Sequence, residues 1–235
     1  MRLNKFINKT FKKGNVSVCG LRGTGKDVLF GNVIARRNLP YISNLYYGYA
    51  HIPFNYKDID CGCNTYKQFL ECDVNHYEFK YPYDTDVYLS DAGVYFPSHE
   101  HKALEKSYPY LPTYMALSRQ VSHNNVHYNV QNLARCWDKI REQSDIYVRC
   151  MGCRIIAGIC FMRVIVYDNV ESCIAGVKPC PIRPTGLNRD RRLEARMHKD
   201  KFISTYGNIK SYILIFRNLS CHDTYYFERL LANEN

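Results

Sequence analysis

The eight residues Gly20-Leu21-Arg22-Gly23-Thr24-Gly25-Lys26-Asp27 constrain this chain more than any other feature. Glycine at Gly20, Gly23 and Gly25 lets the backbone turn its N–H groups inward around an anion, a geometry that excludes a Cβ at some positions. The apolar run Val16 to Cys19 comes before them, and the residues from Lys26 to Arg37 follow with Val28, Leu29, Val33 and Ile34 at helical spacing. Strand, glycine-rich loop and helix in this order make a phosphate-binding loop. Lys26 adds a point charge for β- and γ-phosphates, and the helix directs its positive end at the same anion. The nucleotide contacts expected are Gly20, Leu21, Arg22, Gly23, Thr24, Gly25, Lys26, Asp27 and Val28, with ATP as the ligand.

Asp27 stands where a Ser or Thr hydroxyl usually coordinates magnesium. A carboxylate about 5 Å from a phosphate charge costs about 3 kcal/mol at an effective dielectric of about 20 unless a cation lies between them. Asp27 is therefore read as a direct or water-bridged Mg²⁺ ligand; the other reading has it turn away and cap the helix. Asp91 ends the apolar run Asp86-Val87-Tyr88-Leu89-Ser90-Asp91, where a Walker B carboxylate would hold the same metal. Ala92 follows it, where a Glu usually polarises the attacking water, so hydrolysis is expected to be slow or to borrow a base. Glu100 is the nearest later carboxylate, though an exposed loop or helix-start residue is the preferred reading for it. Gln131 ends the next strand, where a sensor side chain would sit between phosphate and metal. Arg119, Arg135 and Arg141 are candidates for an arginine finger acting across a subunit boundary, or for a solvated helix face.

Around these motifs the chain alternates. Tyr41 to Asn44 reads as a second strand, Leu104 to Arg119 contains a helix begun near Pro112, Val126 to Val130 is a strand, Asn132 to Arg141 a helix and Asp145 to Cys150 a strand. Such alternation predicts the α/β class, a P-loop fold with a mainly parallel sheet flanked by helices and ligands at the carboxyl ends of the strands. Leu45 to Pro82, rich in tyrosine and turn residues, is left unassigned. Beyond Gly152 the runs lengthen, Arg154 to Tyr167 and Tyr212 to Arg217, around a connector from Pro179 to Pro184 and a basic helix from Arg189 to Lys201. A boundary is expected there, with a nucleotide-binding domain over 1–152 and a β-rich, basic appendage over 153–235.

Ile155 to Tyr167 is the most apolar stretch, but 13 residues of helix reach only about 20 Å against a hydrocarbon core of about 30 Å. With Arg163 inside it, it reads as a buried strand and not as a membrane span. The basic N-terminal stretch, with Arg2, Lys5, Lys9, Lys12 and Lys13, lacks the apolar segment of a secretory signal. Eleven cysteines without such a signal fit reduced thiols. Cys150-Met151-Gly152-Cys153, with Cys160, Cys173 and Cys180 downstream and Cys61 and Cys63 upstream, has the spacing of half a zinc site, yet no regular second pair accompanies it and core thiols are the preferred reading. His99, His101, His123 and His127 are too irregularly spaced to read as a metal cluster. A formal charge of +10 and pI near 9.0 favour polyanionic partners, nucleic acid or an anionic membrane surface.

Taken together, Gly20 to Asp27, Tyr41-Ile42-Ser43-Asn44, Leu89-Ser90-Asp91-Ala92-Gly93 with Phe96-Pro97-Ser98, and Ala116-Leu117-Ser118-Arg119 followed by Val130-Gln131 resemble the zonular occludens toxin family of filamentous phages. Its members are P-loop proteins related to the FtsK/HerA translocases. The resemblance covers about residues 14–150. The family usually reads Asp-Glu-Ala-His before its Phe-Pro segment and ends the later strand in Thr-Gln; this chain has Ala92 in place of the Glu and Asp27 in place of the P-loop hydroxyl. The resemblance implies ATP-driven assembly and extrusion of single-stranded phage DNA or its coat complex, by a homo-oligomeric ring in the host cytoplasm with peripheral contact to the inner membrane or a membrane partner. A catalytically weak ATP-binding scaffold is the alternative. It carries Gly20, Gly25, Lys26 and Asp27 over to nucleotide and metal, Asp91 to metal, Gln131 to a sensor and Arg119 to a finger.

Overall fold

The computed structural model describes residues 1–48, 50–54, 85–107, 111–121, 125–181 and 189–219. In chain order the elements are α1 (Leu3–Lys9), β1 (Val16–Cys19), α2 (Lys26–Arg37), β2 (Tyr41–Ser43), β3 (His51–Pro53), β4 (Val87–Leu89), α3 (Ala92–Tyr95), α4 (His101–Ser107), α5 (Leu111–Val121), β5 (Val126–Val130), α6 (Asp138–Arg141), β6 (Ile146–Ile156), β7 (Ile159–Tyr167), α7 (Val170–Ala175), α8 (Arg189–Tyr206) and β8 (Lys210–Arg217).

Every residue of β1, β2, β4 and β5 is buried. Strands with no solvated face belong inside a parallel sheet covered on both sides, and among the described residues the eight strands form one sheet in the order β3-β2-β4-β5-β1-β6-β7-β8. The pairs from β3 through to β6 are parallel; β6-β7 and β7-β8 are antiparallel. The mainly parallel α/β sheet expected from the alternation is present. β1 lies between β5 and β6, while the chain leaving it returns at β2, beyond β5 and β4. The loop after β1 therefore opens at a point where the connections diverge, the usual place for a ligand in open α/β sheets.

Alternate residues of the strands feed two cores. On one face Val16, Val18, Tyr88, Val148 and Met162 pack with Leu29, Phe30 and Val33 of α2. On the other, Leu89, Tyr128, Tyr147 and Tyr167 pack with Met115, Trp137 and Ile140. The basic N-terminal stretch folds as α1, a helix too short to hold alone; Leu3, Phe6 and Ile7, spaced three and four apart, are buried against the first core. Burial contributes about 1.5–3 kcal/mol for each such side chain, enough to fix the helix on the sheet.

Several expected elements take a different form. Within Leu104 to Arg119 the helix expected to begin near Pro112 is α5, which starts at Leu111, and a separate helix, α4, precedes it. The helix placed over Asn132 to Arg141 is a 3-10 turn, Leu133–Arg135, capped by the Asn132 side chain (Ala134 N to Oδ1, 3.0 Å), then α6, with Trp137 buried between. The single run Arg154 to Tyr167 is a hairpin. Ala157 (φ 48°) and Gly158 (φ 75°) turn the chain between β6 and β7, as a two-residue loop with both central φ positive does. Nor is that run buried throughout: along β7, Ile159, Phe161 and Arg163 face outward while Cys160, Met162 and Val164 face the core. The strand expected over Asp145 to Cys150 continues to Ile156, so residues 152 and 153 lie inside β6, and β7 and β8 extend the same sheet. The basic helix runs on to Tyr206. Most of the unassigned 45–82 segment and part of the 179–184 connector lie outside the described residues.

Candidate functional site

The loop from Gly20 to Gly25 joins the carboxyl end of β1 to the amino end of α2. Gly20 (φ 153°), Gly23 (φ 79°) and Gly25 (φ 92°) all have positive φ. At two of them a side chain would also collide: a Cβ at Gly25 would lie 2.5 Å from the Cys153 Cβ, and one at Gly20 would lie 2.6 Å from the Cys150 carbonyl oxygen. The loop is thus pressed against β6 on one side while Leu21, Arg22 and Gly23 are exposed on the other. Its root is pinned by Gly20 N donating to the Val130 carbonyl (3.3 Å), and its crest by Thr24 Oγ1 donating to the Leu21 carbonyl (2.7 Å).

Lys26 opens α2 and is 5% exposed. Among the described residues its ammonium makes one hydrogen bond, 3.3 Å to the Leu21 carbonyl. A buried ammonium with three donors and one long neutral acceptor is under-compensated unless negative charge is close by. Val28, also expected at the site, follows on α2 and is half-buried against the first core.

Asp27 does not cap the helix with its side chain. Its Oδ1 accepts from Asn129 Nδ2 at 2.9 Å, which turns the carboxylate toward β5. Asn129 is fully buried and ties the site together: Oδ1 accepts from the Asp91 N–H (2.9 Å) and Nδ2 also reaches Ser90 Oγ (3.2 Å). Ser90 is held in turn by a hydroxyl contact with Tyr47 and by a reciprocal pair with Asn44, N to Oδ1 at 2.7 Å and Nδ2 to O at 2.9 Å. Asp91 itself adopts φ 50° at the start of α3, a left-handed position that Asp and Asn tolerate better than most residues. Asp27, Asp91 and Lys26 thereby converge at the ends of β1 and β4.

Burial raises the Asp91 carboxyl above its ordinary range, the Asp27 charge adds to the rise, and Lys26 opposes it. A carboxyl with a raised folded-state pKa contributes stability that is present below the unfolded pKa and lost as pH climbs through the raised one. At neutral pH the charged Asp91 is therefore a destabilising group in the nucleotide-free protein. Asp91→Asn, which keeps the left-handed turn, should raise the thermal midpoint of the free protein by differential scanning calorimetry. A lower midpoint would show that the two carboxylates do not oppose each other.

Two carboxylates beside a lysine and a loop of exposed amides fit a Mg²⁺ ion, which takes one or two protein carboxylates and completes its shell with phosphate oxygens and water. Gln131 is exposed beyond the end of β5 and, with Gly20, Leu21 and Thr24, lines a cavity of about 300 Å³. Arg119 lies in α5, and its side chain is outside the described residues. Arg135 is exposed; Arg141 is half-buried at the end of α6. Ala92 is fully buried in the core, so the position after Asp91 points into packing. Glu100 is exposed beside His99 (3.4 Å).

No group of three or more metal-ligating side chains is assembled among the described residues. Cys150, Cys160 and Cys173 are buried, and Cys153 is half-buried 3.2 Å from Cys160, sulfur to sulfur. Cys61, Cys63 and His123 lie outside the described residues. His99 and His101 are exposed, whereas His127 is fully buried; burial, then the neighbouring Arg37, hold its pKa well below the usual value, so the ring is neutral.

Two polar residues of the site went unnoticed in the sequence. Asn129 interrupts an otherwise apolar and aromatic strand, and Arg149 does the same in β6, where it pairs with Cys19 and lines the cavity. A polar side chain inside a strand buried on both faces is the signal that would have found Asn129; Arg149 is half-buried in a strand with an exposed end and carries no such signal. Arg149 Nη1 donates to the Cys173 carbonyl at 3.1 Å, which aims the guanidinium along the cavity wall.

No protein-family model matches the chain, and no curated protein matches it. Solved structures of similar shape include the N-terminal domain of zonular occludens toxin from Neisseria meningitidis, 14% identical, covering 92% of this chain and 97% of that one with a TM-score of 0.45. The genome packaging NTPase B204 from Sulfolobus turreted icosahedral virus 2 is also similar. Its complex with ATP-gammaS is 15% identical over 68% of this chain and 94% of that one, TM-score 0.41; its complex with AMPPCP is 14% identical over the same shares, TM-score 0.42. Likeness at this level says nothing of what the chain binds.

Proposed function

We propose that the chain binds ATP with Mg²⁺ through Gly20 to Val28 and couples slow turnover to the assembly or movement of single-stranded phage DNA, as a homo-oligomeric ring. One observation carries the nucleotide reading: a buried Lys26 ammonium with a single long hydrogen bond at the mouth of a glycine loop whose crest is open. A triphosphate supplies acceptors for its remaining donors. Bound Mg²⁺ supplies the positive charge that Asp27, Asp91 and the phosphates share. The cavity beside the loop, lined by Gly20, Thr24, Gln131 and Arg149, is at the small end of ligand pockets, which span about 300–1,000 Å³. It suits part of a nucleotide that extends out over the loop.

Turnover is slow in this reading because Ala92 is packed in the core and offers no base to the attacking water. The phage role is supported by the residue resemblance over Gly20 to Asp27 and Asp91 to Gln131. Gln131 acts as the phosphate sensor and Arg119 is offered to the neighbouring subunit. The same buried Ala92 favours a second reading, in which ATP is a structural ligand of a scaffold. Steady-state phosphate release separates the two. Stimulation by single-stranded DNA is expected for the motor, and no release with or without DNA would leave only the scaffold.

A further inference from the structure

Two pairs of cysteine sulfurs flank the phosphate loop, and the nucleotide reading uses neither. Cys153 Sγ and Cys160 Sγ stand 3.2 Å apart on the α2 face of the sheet. Cys19 Sγ and Cys173 Sγ stand 3.5 Å apart on the other face, where Cys19 is the residue before Gly20 and Cys173 belongs to α7. The first pair lies within one hairpin, so a bond there would join strands already hydrogen-bonded to each other. The second would join the root of the loop to a helix 154 residues further along the chain.

Their chemistry also divides them. A cysteine reacts as its thiolate, which nearby positive charge favours and apolar burial disfavours. Burial pushes the Cys160 thiol up to about 12. For Cys19 the balance runs the other way: a hydrogen bond from the Cys173 thiol, then the Arg149 and Lys26 charges, hold its pKa below the ordinary value against the effect of burial. The Cys173 thiol is raised by the same hydrogen bond and by its own burial, so it keeps its proton. A thiolate in contact with a thiol is the arrangement from which a disulfide forms. Both residues line the cavity of about 300 Å³ beside the loop, which gives a small oxidant a way in although Cys19 is only 5% and Cys173 1% exposed.

We infer that Cys19 and Cys173 form a peroxide-sensitive switch whose disulfide weakens nucleotide binding at the neighbouring loop. The switch rests on the nucleotide reading above. The Cys19 thiolate attacks one oxygen of hydrogen peroxide and the O–O bond breaks, leaving a sulfenic acid; the departing hydroxide takes up the proton that Cys19 had released and becomes water. The Cys173 sulfur then attacks the Cys19 sulfur, the S–O bond breaks, and the Cys173 proton leaves with the hydroxide as a second water. The two thiols together lose two electrons, and these reduce the peroxide.

Closing the sulfurs from 3.5 Å to a bond of about 2.05 Å draws the two elements together. Helix α7 is pinned, because Arg149 Nη1 donates to the Cys173 carbonyl at 3.1 Å and Ser172 Oγ donates to the Tyr206 carbonyl at 2.6 Å. Cys19 is paired in the sheet with Val130 on one side and Arg149 on the other. Gly20, held by a 3.3 Å bond to the Val130 carbonyl, follows it directly, so the shift falls on the root of the loop. Linkage makes the effect reciprocal: bound nucleotide must oppose the disulfide by the factor by which the disulfide opposes nucleotide.

The test treats the reduced full chain with hydrogen peroxide. It reads the cysteine link by mass spectrometry of unreduced peptides and, separately, the affinity for a non-hydrolysable ATP analogue with Mg²⁺. Expected are a link between Cys19 and Cys173, an affinity lower by at least about tenfold, and recovery with dithiothreitol. Bound analogue should raise the peroxide concentration at which the link forms. Cys173→Ser and Cys173→Ala should stop at a Cys19 sulfenic acid, trapped by dimedone, and each should bind the analogue within about twofold of its own untreated affinity. A link between Cys153 and Cys160 in its place, no link at all, or a Cys19 to Cys173 link that leaves the affinity unchanged would overturn the switch. Reduced protein that binds no analogue would overturn the nucleotide reading and the switch with it, an outcome told apart from the others because the link is read by mass alone.

Discussion

Lys26→Ala is expected to weaken binding of a non-hydrolysable ATP analogue by about 10- to 100-fold, since losing a charge-assisted contact of about 1.5–3 kcal/mol leaves the phosphates facing Asp27 and Asp91. The same substitution should also lower the thermal midpoint of the free protein, because Lys26 is the cation that opposes the mutual repulsion of Asp27 and Asp91. Fluorescence titration with a labelled analogue and a thermal melt of both proteins check the two halves. Binding within about threefold of the parent, against a charge-assisted contact of this size, would mean that the ammonium faces no phosphate.

Asn129→Ala is expected to cost about 1–3 kcal/mol of folding stability, because it strands the Asp91 N–H and unties Asp27, while the Ser90 hydroxyl keeps Tyr47. Nucleotide binding should also lose its dependence on Mg²⁺, since Asn129 is what holds the two carboxylates in register. Asn129→Asp should be no rescue. It keeps the acceptor for Asp91 N–H but sets a third carboxylate beside Asp27. Urea denaturation measures the effect, and a loss below about 1 kcal/mol, the net worth of one ordinary hydrogen bond, would show the network to be incidental.

How legible all this was in the sequence depends on the range of the interactions. Val16 to Arg37 could be read almost residue by residue, because strand, glycine turn and helix are each set by local chemistry and follow without a gap. The class of the sheet followed from the same alternation. What was hidden lies across the sheet. Asn129 reads as one polar residue in a strand until β4 and α2 are placed on either side of it, and Arg149 matters because β6 pairs with β1. The Asn132 to Arg141 helix was overextended: Asn132 caps only a 3-10 turn, and the chain leaves helical geometry at Cys136 and Trp137 before α6 begins.

The hairpin at Ala157-Gly158 was hidden for another reason. An Ala-Gly turn lacks the Asn or Asp that normally marks a two-residue loop, and the isoleucines on both sides read as continuous burial. In the structure those residues are the exposed ones. A run that is apolar in sequence was thus taken for core where the fold places part of it at an exposed turn, and only the register of β6 on β7 separates the two.

The claim on which the rest depends is that the turn between β1 and α2 clasps a triphosphate together with a divalent ion shared by Asp27 and Asp91. Isothermal titration of ATP analogue into the protein, with Mg²⁺ and then with EDTA, tests it directly. Saturable one-to-one binding that weakens by at least about tenfold, or about 1.4 kcal/mol, when the ion is removed is the result expected. Absence of binding at millimolar nucleotide, or an affinity that is the same with and without Mg²⁺, would contradict it.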